Sequence, residues 1–268
     1  MMCRVPGAAL VLSCATIVAA CGGHAVPPAS PPPRPVVPSI ADGRSLVSAM
    51  REKYNVHWYK TLSFTQNNTL YSARGGATTS QWRQRIAVPG RLRIDYLPLS
   101  QRSGVLFNGS RVHTIDNGRA IDTQPGVSAP LLVTADVYAL PLERSTQLLD
   151  SLGFDLSKLR HDTWEGQPAY VVGAGAGDST TSQFWIDSVR LVALRIVQKE
   201  RRGTRDIVTD IRFGKFTDFA GIPIATEVVQ YRDGRLVFEE QYADVRVNDP
   251  IPEETFDPMK WVSTQPKP

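Results

Sequence analysis

Apolar and polar residues alternate along much of the chain, and this period of two is typical of β-strands with one apolar and one polar face. The alternation is clearest over residues 81–88, 91–96 and 205–213. About ten antiparallel strands of this kind curl rather than form a flat open sheet, so the pattern predicts a mainly β fold. A meander of short strands is predicted over 105–122, and longer strands at 161–165, 168–173, 182–187, 190–199, 205–219, 223–232 and 235–247.

Three segments change to the helical period. A stripe of apolar residues predicts a helix over residues 42–54, its members being Leu46, Val47, Met50 and Tyr54. A second helix is predicted over 142–152, because Pro141 precedes it and Gly153 follows it as a natural stop. A third short helix is predicted over 130–139. These helices can cover the apolar concave side of the curled sheet.

The N-terminal segment predicts export and lipid attachment. Residues 1–20 hold one positive charge, a short apolar run and small residues at the end, which is the pattern of a signal peptide. The sequence Val18-Ala19-Ala20-Cys21 is similar to a bacterial lipobox, in which the cysteine carries lipid. The alternative is an ordinary signal peptide in which Cys21 is accidental. Cleavage before Cys21 leaves one cysteine, so no disulfide within the chain is expected.

Proline dominates the segment that follows. Seven of the 19 residues from 22 to 40 are proline, which favours an extended tether of up to roughly 60 Å over any helix or sheet. A docking motif for a proline-binding partner is the alternative. The chain is therefore divided into a signal peptide at 1–20, a lipidated cysteine and tether at 21–40, a single domain at 41–262 and a tail at 263–268.

Composition and charge exclude several classes of protein. The chain has 268 residues, 42% of them hydrophobic and 21% charged, which excludes wholesale disorder. The net charge of +4 is not gathered into a basic patch, so no nucleic-acid partner is expected. No run after the signal approaches ~18 consecutive apolar residues, so a polytopic membrane protein is excluded.

The search for catalytic chemistry finds no organised motif. The histidines are isolated, and neither an H-E-x-x-H zinc motif nor a G-x-S-x-G nucleophile elbow is present. The glycines of residues 173–177 precede a strand and not a helix, so they predict a flexible hairpin loop. Adjacent Glu239 and Glu240 point to opposite faces of a strand and are interpreted as a solvated pair. No catalytic residue, metal site or cofactor is predicted, and the chain is not expected to be an enzyme.

The strand pattern does predict an apolar concavity. A partly open barrel is a natural site for apolar ligands, and the alternative is a core sealed by its own side chains. The inward-facing candidates on the clearest strands are Trp82, Ile86, Leu92, Ile94, Tyr96, Ile207, Ile211 and Phe213.

Several of these features, in the same order, resemble the LolA-like outer-membrane lipoprotein-sorting proteins. The resemblance spans roughly residues 42–262 and includes the leading helix and the long final hairpin. Its other parts are the Pro-Gly-Arg-Leu-Arg-Ile-Asp-Tyr stretch at 89–96, the Asn-Gly meander at 108–118, Phe184-Trp185-Ile186-Asp187 and the closing residues 252–261. It implies an unclosed antiparallel β-barrel, or half-barrel, with a helical lid, holding acyl chains or other lipids.

The resemblance and the predicted anchor together indicate an envelope lipoprotein that binds acyl chains of lipids or lipoproteins and carries or accepts them. Its expected partners are those chains, the membrane reached through the N-terminal lipid, and a protein donor or acceptor. The outer membrane, facing the periplasm, is the favoured location. The alternative is an envelope sensor or scaffold that uses the same fold to bind a protein.

Overall fold

The computed structural model describes residues 39–265. The predicted signal peptide, Cys21 and nearly all of the proline-rich tether lie outside these residues, so they remain expectations from the sequence.

Within residues 39–265, the chain forms thirteen strands and three α-helices. The helices are α1 (Gly43–Tyr54), α2 (Ala129–Thr134) and α3 (Leu142–Ser151). The strands of the first half are β1 (Thr61–Tyr71), β2 (Ala77–Ala87), β3 (Arg91–Tyr96), β4 (Gly104–Asn108), β5 (Arg111–Asp116) and β6 (Arg119–Pro125). Those of the second half are β7 (Leu159–Trp164), β8 (Gln167–Val172), β9 (Gln183–Asp187), β10 (Ala193–Arg202), β11 (Arg205–Phe219), β12 (Ile222–Arg232) and β13 (Arg235–Val247).

All thirteen strands belong to one antiparallel sheet that does not close into a barrel. Its order is β6-β5-β4-β3-β2-β1-β13-β12-β11-β10-β9-β8-β7, so β6 and β7 are the two edges. Each strand pairs with the next strand in sequence, except that β6 and β7 do not pair with each other. At the centre of the sheet, β1 also pairs with β13. The predicted mainly β fold with an unclosed, curled sheet is confirmed.

The sequence pattern missed the central strand β1. Its inward positions are Leu62 and Phe64, followed by Gln66 and Asn68, and all four are buried. The two amide side chains break the apolar alternation, and for this reason the sequence pattern does not predict a half-buried strand here. The predicted helix at 130–139 also differs, because α2 ends at Thr134 and a separate 3₁₀ turn occupies Asp136–Tyr138.

Two tight turns join neighbouring strands of the sheet. Asn117 and Gly118 join β5 to β6 with φ of 47° and 78°, and Asp233 and Gly234 join β12 to β13 with φ of 49° and 76°. These positive angles are those of hairpin turns that asparagine, aspartate and glycine tolerate. The glycine-rich residues 173–177 lie in the loop between β8 and β9, as predicted.

The three helices and the 3₁₀ turn form a lid on the concave face. Their apolar stripes pack against one another and against the sheet in one continuous core, to which the lid contributes Leu46, Met50, Leu132 and Leu149, all fully buried, and the sheet Val172, Phe184 and Ile186. Asp42 caps the first turn of α1 by accepting a hydrogen bond from the backbone N–H of Ser45. The lid therefore buries its apolar side against the sheet.

The C-terminal residues 253–265, here named the clasp, cover part of the convex face. The ring of Trp261 is buried together with Leu106 and Ile115 from β4 and β5, in a cluster separate from the main core. Arg93 lies under this ring at 3.7 Å from its centroid and bonds to Asp95 at 2.8 Å. The same guanidinium donates to the carbonyl oxygens of Trp261 and Thr255.

The clasp extends into the segment predicted as a tail. The Thr264 hydroxyl accepts a hydrogen bond of 2.6 Å from Arg93. Arg93 is fully buried, and a buried guanidinium is tolerated because a carboxylate and several backbone oxygens accept its protons.

The clasp should contribute to stability and not to the concave face. Replacing Trp261 by alanine removes a fully buried indole and exposes Arg93, so we expect the free energy of unfolding to fall by about 3–5 kcal/mol. Urea denaturation measures the change. Met259→Ala is the control, because that side chain is 89% exposed in the same segment. Equal unfolding midpoints for the two variants would contradict this role.

Candidate functional site, a cavity beneath the lid

A cavity of ≈ 280 Å³ lies between the concave face and helix α2. Its roof is formed by Pro130, Leu131 and Thr134 of α2. Its floor and walls come from both halves of the sheet, β1 to β4 on one side and β10 to β13 on the other. Because the strands are curled, side chains of seven or more strands converge on one space that no single strand could enclose.

Six of the eight residues predicted to face the concavity line this cavity. They are Trp82, Ile86, Leu92, Ile94, Ile211 and Phe213. Tyr96 does not line it; its ring packs on Trp82 with centroids 4.9 Å apart. Ile207 is also outside, because it lies farther along β11, where it pairs with Glu200. A role in ligand binding stays a prediction for all eight.

Sequence reasoning missed the contribution of β1, β12, β13 and the lid. Phe64 of β1 stacks on Tyr242 of β13 at 3.9 Å between centroids, and Val228 and Phe238 complete this wall. These residues face inward because β13 pairs with β1, and that pairing joins segments that are far apart in sequence. Alternation in the sequence can predict these strands and separate their two faces. Only the register of pairing shows which of the two faces is concave.

One end of the cavity is aromatic. The ring of Trp58 stacks on Tyr59 at 5.1 Å and on Tyr138 of the lid at 3.8 Å. The Tyr138 hydroxyl donates a 2.8 Å hydrogen bond to the carbonyl oxygen of Leu191, and burial raises the pKa of this phenol well above its ordinary value. The aromatic end thus ties the lid to the sheet while it bounds the cavity.

The floor also carries a row of polar side chains. Gln66 is 1% exposed and accepts a hydrogen bond from the amide of Gln84. Gln230 and Glu240 line the same cavity. Glu240 is partly buried and faces the cavity, so the interpretation of the pair as a solvated face is wrong for this residue. Glu239 points away from the cavity and accepts a hydrogen bond from the Tyr71 hydroxyl, so the expectation of opposite faces is correct.

Glu240 is partly buried among mostly apolar side chains. Burial raises the pKa of its carboxyl from 4.5 to about 8. Desolvation of the carboxylate is the cause of this shift. No cation opposes it, because in the described part of the chain no Lys, Arg or His lines this cavity. Among the described residues that line the cavity, Glu240 carries the only carboxyl group.

Across residues 39–265, no group of three or more His, Cys, Asp or Glu side chains could hold a metal ion. None of the helices in this range is long and apolar enough to cross a membrane.

Comparison of structures finds proteins with the same architecture, whereas comparison of sequences finds no match. No protein-family model and no curated protein matches the chain. A putative outer membrane lipoprotein-sorting protein domain from Vibrio parahaemolyticus matches 81% of the chain and 97% of its own, with a TM-score of 0.56 at 11% identity. A LolA superfamily protein from Nitrosomonas europaea matches 78% and 96%, with a TM-score of 0.53 at 12% identity. The chain has a LolA-like fold.

A third match has the same fold. A DUF1329 family protein from Desulfovibrio piger matches 80% of the chain and 95% of its own, with a TM-score of 0.52 at 13% identity. None of the three is named as an enzyme. The fold predicted from the resemblance, an unclosed antiparallel sheet with a helical lid, is thus confirmed by comparison with LolA-like structures.

The lid of this LolA-like fold is fastened to the sheet through Asp136. Its carboxylate accepts a 2.8 Å hydrogen bond from the backbone N–H of Gly90, at the turn between β2 and β3. Burial raises the pKa of Asp136 from 3.8 to about 6, and the Gly90 hydrogen bond opposes that change. Holding this carboxylate charged near neutral pH therefore lowers the free energy of unfolding.

This attachment predicts a pH dependence of stability. The folded-state pKa of Asp136 is above the unfolded one, so the folded state binds more protons between about pH 4 and 6, and the free energy of unfolding falls as pH rises through that window. Asp136→Asn keeps an acceptor for Gly90 without the charge. We expect it to match the parent near pH 3.5 and to exceed it at pH 7.5 by up to about 3 kcal/mol.

Urea unfolding at several pH values measures the difference between the two proteins. Asp150→Asn, an exposed substitution on α3 of the same lid, is the control and should leave the curve unchanged. A parent and an Asp136→Asn variant with parallel pH profiles would contradict the assignment.

Proposed function

We propose that this protein is an envelope lipoprotein that binds acyl chains of lipids or lipoproteins in the cavity and carries or accepts them during trafficking. The observation that carries the proposal is the apolar cavity roofed by α2. Binding would rest on burial of methylene groups, each contributing about 0.8 kcal/mol. The LolA-like fold supports the proposal, as it is the fold of a putative lipoprotein-sorting domain.

The size of the cavity bears on how cargo would enter. Its ≈ 280 Å³ is near the lower end for small-molecule sites. Cargo with several long chains needs more room, so α2 and the 3₁₀ turn would move outward on loading. The Asp136–Gly90 hydrogen bond and the Tyr138–Leu191 hydrogen bond are the contacts that such a movement would break.

The alternative of a sensor or scaffold that binds a protein partner would be favoured by a core filled with its own side chains. The open cavity favours ligand binding instead. We also propose that Cys21 carries the lipid that anchors the protein, with the outer membrane facing the periplasm as the favoured site.

Filling the cavity should block binding. Ala225 lines the cavity on β12, and Ala225→Trp would occupy space that ligand methylenes need. Loss of room for two methylenes corresponds to about tenfold weaker binding of a fluorescent fatty acid, measured by titration. Ala120→Trp is the matched control, because Ala120 is exposed on the edge strand β6. Equal affinities of the two folded variants would argue against this cavity as the site.

Anchoring has its own test. Expressed in a bacterium with radiolabelled palmitate, the parent should incorporate label and sediment with membranes. Cys21→Ala should do neither. Cys14→Ala is the control, because that residue lies in the predicted signal peptide and should leave labelling unchanged. A Cys21→Ala protein that still carries label would contradict lipid attachment at this residue.

A further inference from the structure

The concave floor presents hydrogen-bonding groups that the fold itself does not use. Asn68 of β1 is 3% exposed, and both its amide nitrogen and its amide oxygen lack a hydrogen-bond partner among the described residues. A buried amide without partners costs about 1–3 kcal/mol per group, so its presence in a wall requires an explanation.

Asn68 shares its face and position with Glu240. The two residues are directly opposite each other in the β1–β13 ladder, and residues so paired point to the same face. Gln66, two residues earlier on β1, is therefore on this face too. Glu240 and Gln66 line the cavity, whereas Asn68, on the same face, lies outside its lining and against a second, more polar pocket. These three side chains are named the polar row.

The row offers acceptors and donors but no positive charge. The Gln84 amide nitrogen donates to the Gln66 oxygen, which leaves the Gln66 nitrogen and the Gln84 oxygen free for other partners. No Lys, Arg or His from residues 39–265 lines the cavity, so a carboxylate or phosphate placed here would have no counter-charge.

We propose that this polar row, with Glu240 at its centre, binds the head of an acylated ligand through N–H donors and discriminates against anionic heads. The inference rests on the proposed function, since the acyl chain must occupy the cavity for its head to reach the row. Amide N–H groups and ammonium groups can both donate the required hydrogen bonds. The amide would come from an N-acylated peptide, and the ammonium group from an amine-bearing lipid.

The chemistry of Glu240 suits such a head. Burial raises the pKa of its carboxyl to about 8, so an incoming ammonium would stabilise the ionised form and an amide N–H would find acceptors in either form. An anionic head would place a second acid beside Glu240, which is unfavourable without a cation.

The test compares three ligands with the same twelve-carbon chain, namely dodecanamide, dodecylamine and dodecanoate. Each displaces the neutral fluorophore N-phenyl-1-naphthylamine from the full mature chain at pH 7.5. We expect the amide, the amine or both to bind at least about tenfold more tightly than the carboxylate. Preference for the amide alone indicates the peptide source, and preference for the amine alone indicates the amine-bearing lipid.

Two variants assign the preference to Glu240. Glu240→Gln keeps the size and hydrogen bonding but cannot ionise, so the advantage of the amine over dodecanoate should fall at least about fivefold while the amide still binds. Glu239→Gln is the matched control, because its side chain lies on the opposite face and the preference should persist. Circular dichroism verifies that both variants are folded.

The outcomes separate the two proposals. If the fluorophore and all three ligands fail to bind the folded protein, acyl-chain binding and the head-group inference both fall. If the ligands bind equally, or if Glu240→Gln leaves the ratio of amine to dodecanoate affinity unchanged, acyl-chain binding stands and the polar row has no such role.

Discussion

The unclosed sheet is the constraint on which the rest of the molecule depends. Thirteen antiparallel strands satisfy one another's backbone groups from β6 to β7, yet the two edges never meet. Curling places the apolar side of each strand on one concave surface, and that surface must be shielded from water. Three short helices provide the cover, and the space left beneath α2 is the cavity. The cavity is thus a consequence of how the sheet is covered.

The two faces of the same strands perform separate tasks. On β3, Leu92 and Ile94 line the cavity, while Arg93 and Asp95 between them are buried under the clasp. Because successive side chains alternate, a strand can hold a ligand wall on one side and a hydrogen-bonded ion pair on the other. Stability of this part of the sheet therefore does not require the cavity to be filled.

Sequence patterns predicted the fold well where each strand has one apolar face. Strands β2, β3 and β11 were clear for this reason, and six of the residues predicted on them line the cavity. The pattern failed at β1, where buried Gln66 and Asn68 interrupt the apolar side. It also failed for Glu240, because alternation separates it from Glu239 without telling which of the two faces inward. The polar row was hidden from the sequence pattern because its own residues are polar and interrupt the apolar alternation. The clasp was hidden as well, since nothing local in Arg93 indicates that residues some 160 positions later will cover it.

The pairing of β1 with β13 has a consequence for how the chain reaches this structure. Leu62 lies opposite Val247, so the central ladder joins residues separated by almost the whole domain. Closure of so long a loop is entropically unfavourable, and folds dominated by such contacts fold slowly. During synthesis, strands β1 to β6 can form their meander early, but the concave surface stays incomplete until β13 has emerged. Until then the inward side chains of β2 and β3 are exposed without their opposite wall, and such transiently exposed apolar surface is prone to aggregation.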